Sequence, residues 1–258
     1  MLRRAKELHG YHLGAIDGEI GSVKDFYFDD TTFTVRYLVA ETGTWLAERQ
    51  VLISPHALHP VDTENKLIPV ALTREQIENS PSADTDRPIS KRFEIAYFSY
   101  HGWPVYWQGP FLWGPMSLPG ASTVETAPET QTSPAETDPI QSEEDPHLRN
   151  TESVTGYHIQ ALDGEIGHVD DFIIDDESWA IRYLIVDTRN WWPGKKVLVS
   201  PRWIDAVSWE EAKVVLHLSR EAVKQEPPYS EEALLRLSEQ SRRDDLHEYR
   251  LGDFGPRR

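Results

Sequence analysis

The residues whose types could do chemistry are acids, and they come twice. Asp17, Glu19, Asp25, Asp29 and Asp30 recur as Asp163, Glu165, Asp171, Asp175 and Asp176. Carboxylates grouped in this way are oxygen ligands for hard cations such as Ca²⁺ or Mg²⁺. The spacing lacks the alternate acids and closing glutamate of a calcium loop, however. Aspartate at turns and strand ends has a simpler use, accepting local backbone hydrogen bonds. General acid–base work would require a pocket and a shifted pKa, and spacing supplies neither. His12 and His158 are a second equivalent pair, but no Cys, His or Glu partner stands at zinc-ligand spacing. A structural histidine at the start of a strand is the simpler reading. His56 and His59 have no counterparts further on. No nucleophile–base pair repeats, and no glycine-rich phosphate loop opens a helix. No catalytic, cofactor-binding or metal-binding residue is assigned.

The nine tryptophans say more. Trp45 and Trp191 are equivalent. Trp103, Trp107 and Trp113 lie in a central aromatic stretch, and Trp192, Trp203 and Trp209 belong to the second half alone. Aromatic side chains are enriched at binding hot spots because they offer large area at low entropic cost. Trp103, Tyr106, Trp107, Trp113 and Trp192 are therefore the candidate partner-binding residues. The competing use for the central aromatics is to cover the open side of a small core. Both readings stand at this point.

The elements that position these residues follow from an internal repeat. Gly10-Tyr11-His12 returns as Gly156-Tyr157-His158, an offset of 146 residues, and Asp17-Gly18-Glu19-Ile20-Gly21 returns as Asp163-Gly164-Glu165-Ile166-Gly167. Arg36-Tyr37-Leu38 maps onto Arg182-Tyr183-Leu184, and Ser54-Pro55 onto Ser200-Pro201. Roughly 29 of the 72 positions from Gly10 to Pro81 match without a gap. Two copies with a long spacer imply two similar domains rather than a solenoid.

Each copy is β-rich. Asp17-Gly18 and Asp163-Gly164 are hairpin-type turns. Ile20, Val23, Phe26 and Phe28 are spaced so that a flat strand cannot place them on one face, which predicts a bulge at or near Gly21. Central strands are expected at 35–40 and 181–186, with short strands around 51–53, 67–72, 197–199 and 214–218. Thr73 and Ser219 are N-caps for short helices over 74–79 and 220–225. Residues 88–95 suit a helical turn. Beyond it, glycine and proline among the aromatics predict an irregular arm. From about Ala121 to Ser153 the chain is rich in Thr, Ser, Pro and Glu and reads as a disordered acidic linker. At 33 residues it would have an r.m.s. length of roughly 30 Å, giving the two domains reach. Leu234, Leu235 and Leu237 predict a weak amphipathic helix in the C-terminal tail.

The pattern Gly-x₆-Asp-Gly-Glu-Ile-Gly-x-Val-x-Asp-Phe, then Asp-Asp, then Arg-Tyr-Leu-Val, resembles the PRC-barrel domain, over about 10–81 and 156–227. The Leu72-Thr73-Arg74-Glu75 stretch and the Tyr97–Trp107 arm are similar to stand-alone members of that family. The resemblance extends to the cytoplasmic barrel of the photosynthetic reaction centre H subunit and to the C-terminal barrel of the ribosome maturation factor RimM. The membrane helix of the first and the N-terminal domain of the second have no counterpart here. The resemblance implies small five- or six-stranded antiparallel barrels that mediate protein–protein interaction rather than catalysis.

Composition narrows the function further. Net charge is −17, and the basic pairs are short and scattered, which disfavours nucleic acid and anionic lipid as partners. There is no cysteine, so disulfides and thiolate chemistry are absent. The chain begins without a signal-like segment, and its apolar runs fall far short of the roughly 20 residues that span a bilayer. A cytoplasmic location is expected. The expected architecture is mainly β: a first barrel over 1–82, an aromatic arm over 83–120, a linker over 121–153, a second barrel over 154–229 and a helical or frayed tail over 230–258. The expected function is a non-enzymatic scaffold or adaptor for protein partners, with self-association open and no cofactor. The alternative is a sensor of a divalent cation or small ligand, built on the duplicated acids.

Overall fold

The computed structural model describes residues 1–47, 49–81, 89–120, 147–188, 195–226 and 228–244. It is mainly β, with thirteen strands in two sheets and short helices. The first copy opens with β1 (Leu2–Arg4) and α1 (Ala5–Leu8). The hairpin of β2 (His12–Ala15) and β3 (Gly18–Asp29) follows, then β4 (Thr34–Glu41), β5 (Gln50–Ile53), β6 (Leu67–Pro69) and α2 (Arg74–Glu78). The arm supplies α3 (Lys91–His101). The second copy repeats the order as β7 (Leu148–Asn150), α4 (Thr151–Val154), β8 (His158–Ala161), β9 (Gly164–Asp175), β10 (Ile181–Asp187) and β11 (Lys196–Val199). It continues with β12 (Ile204–Ser208), β13 (Lys213–Leu216) and α5 (Arg220–Lys224), and α6 (Glu231–Asp244) closes the described chain.

The long strands β3 and β9 organise the two sheets. β3 pairs with β4 along one edge. On its other edge β2 covers only Gly18–Ser22, and the second half of that edge is left open by its own copy. β7 fills the gap, with Leu148 opposite Asp29 and Asn150 opposite Tyr27. β9 is filled in the same way by β1, with Leu2 opposite Asp175 and Arg4 opposite Ile173. The registers are identical under the 146-residue offset. Each copy therefore completes the other's sheet with its opening strand. The turns after β3 and β9 also meet: the Val35 N–H donates to the Trp179 carbonyl at 2.8 Å, and the Ile181 N–H to Phe33 at 2.6 Å. Thr34 faces its own equivalent, Ala180, across this contact. The two copies are thus related as the halves of a two-fold dimer.

One apolar cluster runs through both copies, joining Phe26, Phe28 and Tyr37 to Phe172, Trp179 and Ile181. The two copies are therefore joined directly. Exchanged strands and a continuous core leave them no independent reach. The expected linker also runs too far: Leu148–Asn150 is a strand and Thr151–Val154 a helix, because Leu148 and Val154 are apolar anchors. Residues 121–146 lie outside the described residues.

Other expectations are met or amended locally. Bulges leave Ile20 and Ile166 without cross-strand partners, next to Gly21 and Gly167. A Cβ on either glycine would sit 1.9 Å from the carbonyl oxygen of Glu41 or Asp187, so no other residue fits. The sheets are mixed rather than antiparallel: β2 pairs parallel to β6, and β8 parallel to β13. Neither strand ladder closes on itself among the described residues. The Thr73 and Ser219 side chains cap α2 and α5 as expected. The helical turn expected at 88–95 is instead the eleven-residue helix α3, capped by Ser90 and stopped by Gly102 at φ +71°. The glycines and prolines that suggested an irregular arm begin only at its end. The amphipathic tail forms α6, whose Leu234 packs with Leu2, Ile173, Ile185 and Leu198. No helix among the described residues is long and apolar enough to cross a membrane.

Candidate interaction surface

Glu94, Tyr97 and Phe98 recur at helical spacing and form the buried face of α3, which lies across the first sheet. The Tyr97 ring meets Tyr37 edge-on at 5.4 Å, and its hydroxyl donates to the Leu52 carbonyl at 3.0 Å. Glu94, fully buried, accepts from Tyr37 at 3.1 Å and Tyr106 at 2.9 Å, with Lys91 3.4 Å away. Arg36, also buried, stacks over Tyr106 at 3.8 Å and contacts Asp29 at 3.3 Å. Burial pushes the Tyr37 hydroxyl well above its usual range, and the neighbouring Glu94 adds to it. Burial would also raise Asp29, but Arg36 and the Thr31 and Thr32 N–H groups outweigh it and hold the carboxyl low. Sequence reading passed over Arg36 and Glu94. Both look like surface charges, and only tertiary packing shows that each neutralises a polar pocket under the arm.

The five candidate partner residues separate accordingly. Trp113 is fully buried and donates its indole N–H to the Ser178 carbonyl at 2.9 Å, so the arm reaches the second copy. Tyr106 is buried in the Glu94–Arg36 network. These two are core cover and present no surface to a partner, because the small first sheet needs them to close its open side. Trp103 and Trp107 are half-buried. Trp103 stacks between His56 and His101, at 5.4 and 4.4 Å, while Lys91 lies 3.4 Å over Trp107. Trp192 lies outside the described residues. Of the other tryptophans, Trp45 donates its indole N–H to the Ile20 carbonyl. Trp209 is exposed, with Arg149 above it at 4.2 Å. A cleft of about 480 Å³ opens beside Trp103, lined also by His56, Leu72, Gln76, Tyr100 and His101. Burial holds the imidazoles of His56 and His101 at about 4, with Arg36 adding to the effect at His56, so both are neutral at pH 7.

Two of the five duplicated acids, Asp25 and Asp30 with their equivalents Asp171 and Asp176, bridge the halves, and the others act mainly within their own copy. Asp30 takes Arg149 at 2.8 Å and His147 at 3.0 Å; its equivalent Asp176 takes Arg3 at 2.7 Å. Asp25 accepts from the Thr151 hydroxyl and the Glu152 N–H, and Asp171 from the Lys6 N–H at 3.2 Å. Burial raises both Asp25 and Asp171 against these donors. Asp17 and Asp163 accept the first N–H of α2 and α5, at 2.8 and 2.7 Å. Asp175 pairs with Arg182 at 3.3 Å. Among the described residues no three metal-ligating side chains converge. His12 and His158 are exposed and pair across the hairpin with Glu19 and Glu165, at 2.8 and 2.9 Å.

The geometry defines a class: a duplicated, mainly β module whose aromatic arm is built into its core. Residues 4–77, the first copy, match the family model of the PRC-barrel domain. The second copy repeats the strands of the first at a constant offset and adds β12. A search among curated proteins gave no match.

Proposed function

We propose that this protein is a docking scaffold with no catalysis of its own, in which two PRC-type copies are fused into one body that presents the features common to both copies twice. The reciprocal placement of β1 and β7 carries the reading. It turns a tandem repeat into the equivalent of a two-fold dimer, and such a body suits partners that are themselves two-fold. The histidines and carboxylates most suggestive of chemistry are already engaged in packing, caps and ion pairs, which supports a binding role over a catalytic one. Net charge of −17 favours a partner with basic surface and disfavours nucleic acid. A cytoplasmic site of action fits the composition.

The test is capture of partners from an extract of the source organism on the tagged full chain, with the retained protein identified and its ratio to the chain measured. A specific protein at fixed stoichiometry is expected. Retention of nothing beyond a tag-only control would overturn the scaffold reading. Cation sensing draws no support from carboxylates already occupied by arginine, backbone N–H and hydroxyl groups. The melting temperature is accordingly expected to be the same with and without millimolar Ca²⁺ or Mg²⁺, since a ligand of the native state must raise it.

A further inference from the structure

Large apolar residues scattered singly over a surface need no explanation. Ile16 and Leu162 are not scattered. They are 70% and 72% exposed, and among the described residues they alone, of the exposed large apolar side chains, are related by the repeat offset. Each stands at the tip of the first hairpin of its copy, immediately before the Asp-Gly turn.

Both tips are held rigidly, and by the same contacts. The Ile16 N–H donates to the Leu72 carbonyl and the Leu162 N–H to Leu218, each at 3.0 Å. The next residue, Asp17 or Asp163, is fixed by the N–H of Arg74 or Arg220. The guanidinium of that arginine lies over the turn glycine, 3.1 Å from where a Cβ would stand on Gly18 and 3.4 Å on Gly164. An apolar side chain left in water on a backbone pinned from both sides has already met much of the ordering cost of binding. The surroundings are also duplicated. Exposed Asp17, Glu19 and Glu75 outnumber Arg74 at one tip, and Asp163, Glu165 and Glu221 outnumber Arg220 at the other.

We infer that Ile16 and Leu162 are twin docking knobs for a protein partner that offers two equivalent apolar sockets with basic rims, as a homodimer does. The inference rests on the scaffold reading and names its contact surface. Acid-rimmed knobs on a chain of charge −17 repel a second copy and attract a basic socket. Two knobs on one body engaging two sockets bind by avidity, worth about 10²–10⁴-fold over a single contact.

The experiment uses the full chain and the variants Ile16→Ser, Leu162→Ser and the double variant. All are checked for an unchanged melting temperature, which such exposure predicts. Each is used to capture partners from extract. The partner identified with the wild type is then purified, its oligomeric state measured, and its affinity for all four chains determined by calorimetry. A dimeric partner is expected, bound one dimer per chain. Either single variant should weaken it about 10²-fold by removing avidity, and the double variant should leave no measurable binding. Undiminished binding by the double variant overturns the knobs and leaves the scaffold standing. Loss through one tip alone, or a partner with a single socket, overturns the paired arrangement. Self-association lost in the double variant would make a second copy the occupant and overturn the charge argument. Capture of nothing by the wild type fails the scaffold reading itself.

Discussion

At the scale of single residues, the arm is judged by Trp113. Its ring packs edge-on against His56 at 5.0 Å, and its N–H is satisfied only across the junction, by Ser178 of the other copy. Trp113→Ala should cost about 3–5 kcal/mol, the range for deleting a buried aromatic, read as a lower urea midpoint. A cost below about 1 kcal/mol, as for surface substitutions, would show the ring to be peripheral. His56 makes a second prediction. Its folded pKa of about 4 lies below the roughly 6.5 of an exposed imidazole. As pH falls below about 6.5 the unfolded chain takes up the proton first, so the stability tied to neutral His56 is complete above that pH and is lost progressively down to about 4. The total is about 3 kcal/mol. Urea midpoints between pH 7.5 and 4.5 should therefore fall more steeply for the wild type than for His56→Phe. Parallel slopes would place His56 in water. None of this was legible in the sequence, where His56 lacks a counterpart and Trp113 is one aromatic among many. Which aromatic faces inward depends on the path of the arm over the sheet.

At the scale of elements, the exchange of β1 and β7 is the feature with most consequence. The strands are three residues long, and each is anchored by one buried leucine and one ion-paired arginine: Leu2 with Arg3, Leu148 with Arg149. Both ion pairs are largely shielded from water, so Arg3→Ala and Arg149→Ala should destabilise by similar amounts, about 1–3 kcal/mol each. A loss confined to one would break the equivalence. A specific protease site placed within residues 121–146 gives the sharper test. After cleavage the halves should still elute as one particle of full mass, because each sheet carries a strand from the other half. Two separating fragments would mean that the exchange contributes little. The sequence disclosed the hairpins, bulges and caps because those depend on neighbours: Asp-Gly at the turns, Gly21 at the bulge, Thr73 and Ser219 before the helices. It concealed the exchange because Leu-Arg-Arg and Leu-Arg-Asn are too short to show a period and lie upstream of the recognisable repeat. The same blindness carried the expected linker through Leu148–Asn150. Strand direction was hidden too, since a parallel β2–β6 pair reads like any other two short apolar runs.

At the scale of the whole molecule, β1 can pair with the β9 of its own chain or with that of a neighbour, since the register is the same in either case. Which occurs during folding is a contest between concentrations. Within one chain the local concentration of a tethered partner is on the order of millimolar for a flexible chain. Net charge of −17 further disfavours encounters between chains. Refolding from urea at about 10 µM, far below that local value, should give monomer, and refolding near about 1 mM should give strand-exchanged dimer alongside it. The dimer would carry the same contacts as the monomer, so its circular dichroism spectrum should be unchanged and only its mass doubled, as light scattering after size exclusion would show. It should also persist on dilution, because returning to monomer means pulling β1 and β7 out of completed sheets. Dimer already present at about 10 µM would mean that the tether opposes the closed arrangement. The two halves would then meet more readily across chains than within one, and the fused pair would be an assembly module rather than a self-contained body.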